Sequence, residues 1–206
     1  MNKSSIVIVA VIALASGIAL SWAISMNRPV KLESGVWFGE QARALPEFEL
    51  VDHNNQPFTR SSLNGNWNLM FFGYTHCPDI CPNSLQMMSD MVKAIDDPDV
   101  VDEINVYFVS VDPDRDTQSL LSSYVTYFNP DFVGATAAVE KLKPLTGALG
   151  ISHTIVNRVE NNPSYDVEHS GAVVLINPEA EYAGLFSSPH DPIKLARDMT
   201  RIVEHN

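Results

Sequence analysis

Apolar side chains recur along this chain in three regimes: one long run, a mixed stretch, and then a regular succession of short runs. From Ile6 to Ile24 the residues are apolar or small, interrupted only by Ser16, Gly17 and Ser21. A helix of that length spans about 28 Å, close to the thickness of a hydrocarbon core. Lys3 supplies a short positive flank and Trp22 lies where an interfacial aromatic would. The pattern predicts an N-terminal transmembrane helix within residues 1–26. Residues 27–44 are mixed and weakly periodic, as expected of a linker, and a folded domain is expected over 45–206.

Within that domain, Phe48 and Leu50 alternate with polar neighbours, Asn54-Asn55 marks a turn, and Trp67–Phe72 is an aromatic-rich run of the kind a buried central strand needs. Ser84, Met87, Met88 and Met91 then fall on one face of a helix. "INVYFVSVD" (Ile104–Asp112) reads as a second buried strand. Asp116 can cap a helix whose Leu120, Leu121, Tyr124 and Phe128 face inward. A further helix is expected from Thr136 towards Leu149, with a break or kink at Pro144. "GAVVLINP" (Gly171–Pro178) and "EYAGLF" (Glu181–Phe186) suit an antiparallel hairpin. Asp191-Pro192 starts a closing helix with Ile193, Ala196, Met199 and Val203 on its apolar face. The order β-α-β-α followed by ββα, with a cysteine pair just after the first central strand, predicts an α/β thioredoxin-like fold with a central mixed sheet.

Charge narrows the partners. The formal net charge is -12, and residues 1–30 hold only Lys3 and Arg28. The acidic excess therefore lies wholly on the domain, which would repel a phosphate backbone, so nucleic acid is not an expected partner. A cleaved signal peptide competes with the anchor, since Ala13-Leu14-Ala15 is an A-x-A-like site. Either reading exports the domain. With no Arg/Ser-rich transit peptide ahead of the apolar run, the expected location is a bacterial inner membrane, single-pass, with the soluble domain in the periplasm.

The two cysteines, Cys77 and Cys81, stand with three residues between them in "FFGYTHCPDICPNSLQMM". Pro82 lacks the N–H of an interior helical residue, so the helix begins no earlier than about Asp79 and both sulfurs lie at its positive end. Three roles compete. A structural disulfide would close a loop of about five residues, worth only about 2 kcal/mol. A catalytic dithiol fits the position, although thioredoxin-like enzymes use two spacers. A soft-metal site needs a further ligand. Among the histidines, His53, His190 and His205 are expected to face solvent, His76 to point away from Cys77, and His153 to be an ordinary loop or edge residue. His169 is distinguished by topology: it immediately precedes the strand that starts near Gly171, and in a thioredoxin-like sheet that connection crosses over the helix-start cysteines. Two thiolates and an imidazole suit Cu(I), with Cu(II) also accommodated and zinc as the chemical competitor. The Met87, Met88 and Met91 stripe is expected to be core. Asp79 and Asp112 suit either turn or helix-end roles or tuning of the sulfurs.

The segments "GYTHCPDICP", "VSVDPDRDT", "YVTYFNPDFVGATA" and "YDVEHSGAVVLINP", in this order and spacing, resemble the SCO/SenC copper chaperones of cytochrome c oxidase assembly. The resemblance runs from Leu45 to about Val203. It implies that Cys77, Cys81 and His169 bind copper. It also implies a copper donor protein and an acceptor, the Cu(A) site of oxidase subunit II or a similar one. Alternatively the pair would act as a thiol-disulfide reductant of the client's cysteines. Glu168 stands where the family often has Asp, and Gly134-Ala135-Thr136-Ala137 where it often has Gly-Leu-Thr-Gly; neither touches a proposed ligand. A thiol peroxidase is a third class, disfavoured because Thr75 is two residues before Cys77 rather than three.

Overall fold

The computed structural model describes residues 12–18, 31–157 and 165–205. Residues 12–18 are helical, and the rest of the expected anchor lies outside the described residues. Among the described residues no helix is long and apolar enough to cross a membrane. Contacts divide the chain into Met1–Lys31 and Leu32–Asn206, and the second unit carries the sheet and the site.

That unit is a mixed α/β structure around one large sheet. Its strands are β1 (Gly35–Trp37), β2 (Arg43–Ala44), β3 (Glu49–Asp52), β4 (Pro57–Thr59), β5 (Trp67–Gly73), β6 (Ile104–Ser110), β7 (Val133–Thr136), β10 (Val173–Ile176) and β11 (Glu181–Phe186), while β8 (His153–Val156) and β9 (Asp166–His169) form a separate hairpin. The order is β1-β11-β10-β5-β6-β7-β3-β4, with β2 also paired to β11. Strands β5, β6 and β7 are parallel, and β10 joins β5 antiparallel. The helices are α1 (Ile80–Lys93), α2 (Pro98–Asp102), α3 (Gln118–Phe128), α4 (Val139–Leu149) and α5 (Pro192–His205).

Every residue of β5 is buried, because both faces of a central strand are covered and its sequence has no polar alternation to present. Its one buried amide, Asn68, is satisfied by donating to the carbonyls of Leu63 and Asn66. Phe71, Phe72 and Phe108 are fully buried, each contributing about 2–3 kcal/mol by removal from water. β5 therefore gives the next residues along the chain, Tyr74 to Cys77, a rigid base.

Several expectations are corrected. Residues 35–44, read as linker, add two strands to the sheet edge at β11; their short, mixed sequence reflects an edge with one side open to water. Just ahead of β1, the chain is held by Asp198 on α5, a buried carboxylate accepting the amides of Glu33 and Ser34 and the Ser34 hydroxyl. Thr117, not Asp116, caps α3. Leu121 and Val125 fill its buried face, whereas Leu120 is exposed. α4 runs through Pro144 as one helix, forgoing a single backbone hydrogen bond in its second turn. On α5 the buried residues are Leu195, Ala196, Asp198, Met199 and Ile202, and Ile193 is exposed. The antiparallel β10–β11 pairing is as expected.

Candidate metal centre

Three structural elements converge at the C-terminal end of β5. The chain leaves β5 at Gly73 and turns, the Cys77 amide donating to the Tyr74 carbonyl. It then enters α1 with Asp79 as N-cap and Pro82 in the first turn, where its missing N–H costs nothing. Asp116 holds this turn from beneath. It is buried and accepts the Thr75 amide at 2.9 Å, the Thr75 hydroxyl at 2.6 Å and the Ser110 hydroxyl at 2.6 Å. A carboxylate that leaves the helix cap to others is thereby spent on aiming Cys77.

Both cysteines are free thiols. Cys81 is fully buried and Cys77 nearly so, at 9% exposure. The α1 amide of Cys81 donates to the Cys77 sulfur at 3.4 Å. The positive end of a helix favours thiolate over thiol, yet only one of the two thiols is lowered. A hydrogen bond from Cys81 holds the Cys77 thiol down to about 4 against the cost of its burial, with His169 and backbone amides of Asp79 and Cys81 adding to the depression. Cys81 moves the other way. The proton it shares towards Cys77, followed by burial, pushes its thiol far above the ordinary range. The pair is a thiolate accepting from a thiol.

His169, at the end of β9, brings its Nε2 to 3.2 Å from the Cys81 sulfur. Its Nδ1 lies 3.0 Å from the Ser170 carbonyl. A carbonyl only accepts, so Nδ1 donates to Ser170 and Nε2 is the ring nitrogen turned to the sulfurs. Phe71 and Tyr74 stand edge-on to the imidazole at 5.9 and 5.8 Å, walling it in on apolar surface. Ligand atoms of Cys77, Cys81 and His169 lie within 4.8 Å of one another. The fold thus brings together donors that stand 88 positions apart along the chain.

Side chains outside the predicted set brace it. Tyr165, at the foot of β9, donates its hydroxyl to Asp112. Arg115 bonds Asp112 through Nε, donates to the Tyr165 carbonyl at 2.9 Å and lies 3.5 Å over the Tyr165 ring. Asp112 thus touches no sulfur; it ties the end of β6 to the strand that presents His169. Asp79 accepts from Asn83 rather than facing the cysteines. Two histidines expected in solvent are structural: His190 donates to the Gly171 carbonyl at 2.8 Å, and His53 accepts the Gly134 amide at 3.0 Å. His205 packs edge-on against Trp37. His76 turns to Thr75 and Asp116, away from the sulfurs. Met88 and Met91 are buried core and Met87 packs against it. In sequence, only the density of Tyr, Arg and Asp in "VSVDPDRDT" and "YDVEHSG" hinted at the brace.

Gly73 yields a prediction. A Cβ there would lie 2.5 Å from the Cys81 sulfur and 3.0 Å from the Phe108 ring. Gly73→Ala should destabilise the chain by about 1–3 kcal/mol, the range for overpacking a filled core, and displace the Cys81 sulfur. Urea denaturation checks the first effect, and the Cu(I) affinity of the folded variant, expected to fall, checks the second.

The family model described as SCO1/SenC matches residues 39–204. A SCO2-like protein of Rickettsia felis is 33% identical over 197 residues, covering 93% of this chain and 95% of its own. The structure of Arabidopsis thaliana ScoI with copper bound is similar at TM-score 0.71 and 28% identity, over 78% of this chain and 98% of that one. Bradyrhizobium japonicum ScoI with copper bound is similar at TM-score 0.68 and 30% identity, over 77% and 98% respectively.

Proposed function

The chain belongs to the SCO1/SenC family, and on that premise we propose that it is a copper chaperone holding one ion on Cys77, Cys81 and His169. The observation that carries the reading is the convergence of those three donors, from a turn, a helix start and a hairpin, within 4.8 Å. Two thiolates and a neutral imidazole form the donor set that soft Cu(I) prefers. Two similar structures, from Arabidopsis and Bradyrhizobium, are described with copper bound.

The residues divide the work. Cys77 is already a thiolate, so it is the first donor an arriving ion meets. Cys81 gives up its proton as the ion takes the place of the S–H···S hydrogen bond, so loading releases a proton. His169 closes the set with its Nε2 lone pair, held by Ser170. Three donors leave a coordination position for an acceptor's ligand, through which copper passes by exchange. The acceptor we propose is the Cu(A) site of cytochrome c oxidase subunit II, or a similar site, with a separate copper donor upstream. Residues 1–26 would tether the domain to a bacterial inner membrane and present it to the periplasm.

A second reading is supported by the thiol asymmetry: a thiolate beside a buried partner thiol is how a thiol-disulfide reductant is built. One experiment separates the two. His169→Ala should weaken Cu(I) binding about tenfold or more, about 1.4 kcal/mol per decade, in competition with a chelator. Exchange with a small disulfide should change little. Unaltered Cu(I) affinity would remove His169 from the ligand set.

A further inference from the structure

The β8–β9 hairpin pairs His153 directly opposite His169. Side chains directly opposite in an antiparallel pair project from the same face. Burial agrees: Val167 is buried, Ile155, His153 and His169 are partly buried, and Thr154, Asp166 and Glu168 are exposed. His153 therefore projects from the inner face of the hairpin, one strand across from the copper-site imidazole. Its Nδ1 is buried and has no hydrogen-bond partner among the described residues. A buried nitrogen without a partner is destabilising, a cost an apolar side chain at the same position would not carry.

Opposed Cβ atoms in such a pair are about 4.5–5.5 Å apart, so two imidazoles mounted on them can reach one ion. The cluster as it stands comprises Cys77, Cys81 and His169, which meets the needs of Cu(I). Cu(II) instead takes tetragonal coordination and favours nitrogen donors. His153 and His169 are carried by the same two-stranded sheet, off the main one, so the two imidazoles keep their register. We propose that His153 is a second imidazole of this centre, recruited when the bound copper is Cu(II). The inference rests on the copper reading of the same site.

The test is pulsed EPR of the chain loaded with Cu(II), which counts coordinated imidazoles, together with Cu(I) affinity by chelator competition. The wild type should show two imidazoles and His153→Phe one, with Cu(I) affinity unchanged. His153→Gln, which keeps a polar group, should also show one, and it serves if the Phe variant fails to fold. An imidazole count that the His153 variants leave unaltered overturns the inference, as does a parallel loss of Cu(I) affinity, which would mark a structural role. His169→Ala distinguishes the two levels of failure: if it removes the single imidazole of a one-imidazole wild type, only the role of His153 falls. If it removes none, the copper centre itself is wrongly assigned.

Discussion

Cys77→Ala and Cys81→Ala are each expected to abolish stoichiometric Cu(I) binding, with affinity falling by about a thousandfold or more, roughly 4 kcal/mol. The size follows from the donor set. Each variant removes one of two thiolates, the ligands for which a soft monovalent ion has most affinity, and leaves a thiol–imidazole pair. Cys77→Ala takes away the donor that is ionised before the metal arrives. Cys81→Ala takes away the sulfur that lies 3.2 Å from His169 Nε2, and leaves a small cavity where that side chain was fully buried. Cys81→Ser keeps most of the volume and separates packing from ligation. The measurement is metal content per chain after reduction and Cu(I) loading, with thermal unfolding of the apo forms as the folding control. Retention of one copper per chain at wild-type affinity in either folded variant would falsify the three-ligand assignment.

The main chain was legible wherever sequence periodicity coincides with full burial. β5, β6, α1, β10 and β11 could all be read from apolar runs, since a strand covered on both faces has nowhere to put polar residues. The ligands were legible for a different reason. Cysteines are scarce, Pro82 fixes where α1 can start, and topology then singles out His169. What escaped was decided by partners far away in the chain. Asp116 has the spacing of a helix cap, but Thr75 and Ser110 claim its carboxylate. His190 and His53 sit in polar stretches, yet each meets one backbone group of Gly171 or Gly134. The bracing of His169 by Tyr165, Arg115 and Asp112 needs three segments in contact, and no local pattern encodes that. The edge strands β1 and β2 are too short for periodicity to register.

Alkylation should reveal the inequality of the two thiols. At pH 7 an ordinary thiol is only a few per cent thiolate, whereas Cys77, held near 4 by the Cys81 hydrogen bond, is almost wholly ionised. Cys81 is protonated and fully buried. Iodoacetamide should therefore label Cys77 first, with a selectivity on the order of a thousandfold, and at a rate that stays flat from about pH 5 to pH 8. Peptide mapping of the singly labelled chain identifies the site. The same ionisation links stability to pH. Between about 4 and the ordinary thiol range, the unfolded chain binds a proton at Cys77 that the folded chain does not, so stability rises with pH, by at most about 1.4 kcal/mol per unit from this group. The contribution is complete above the ordinary thiol value and is lost as pH falls towards 4. Cys81 is protonated in both states across that window and adds no slope until the pH exceeds the ordinary thiol range, where its raised value begins to oppose folding. Urea midpoints of the reduced chain should thus climb from pH 5 to pH 8, and Cys77→Ala should flatten the climb. A wild-type slope that survives the substitution, or first labelling at Cys81, would place the thiolate on the wrong sulfur and with it the order in which the ligands meet copper.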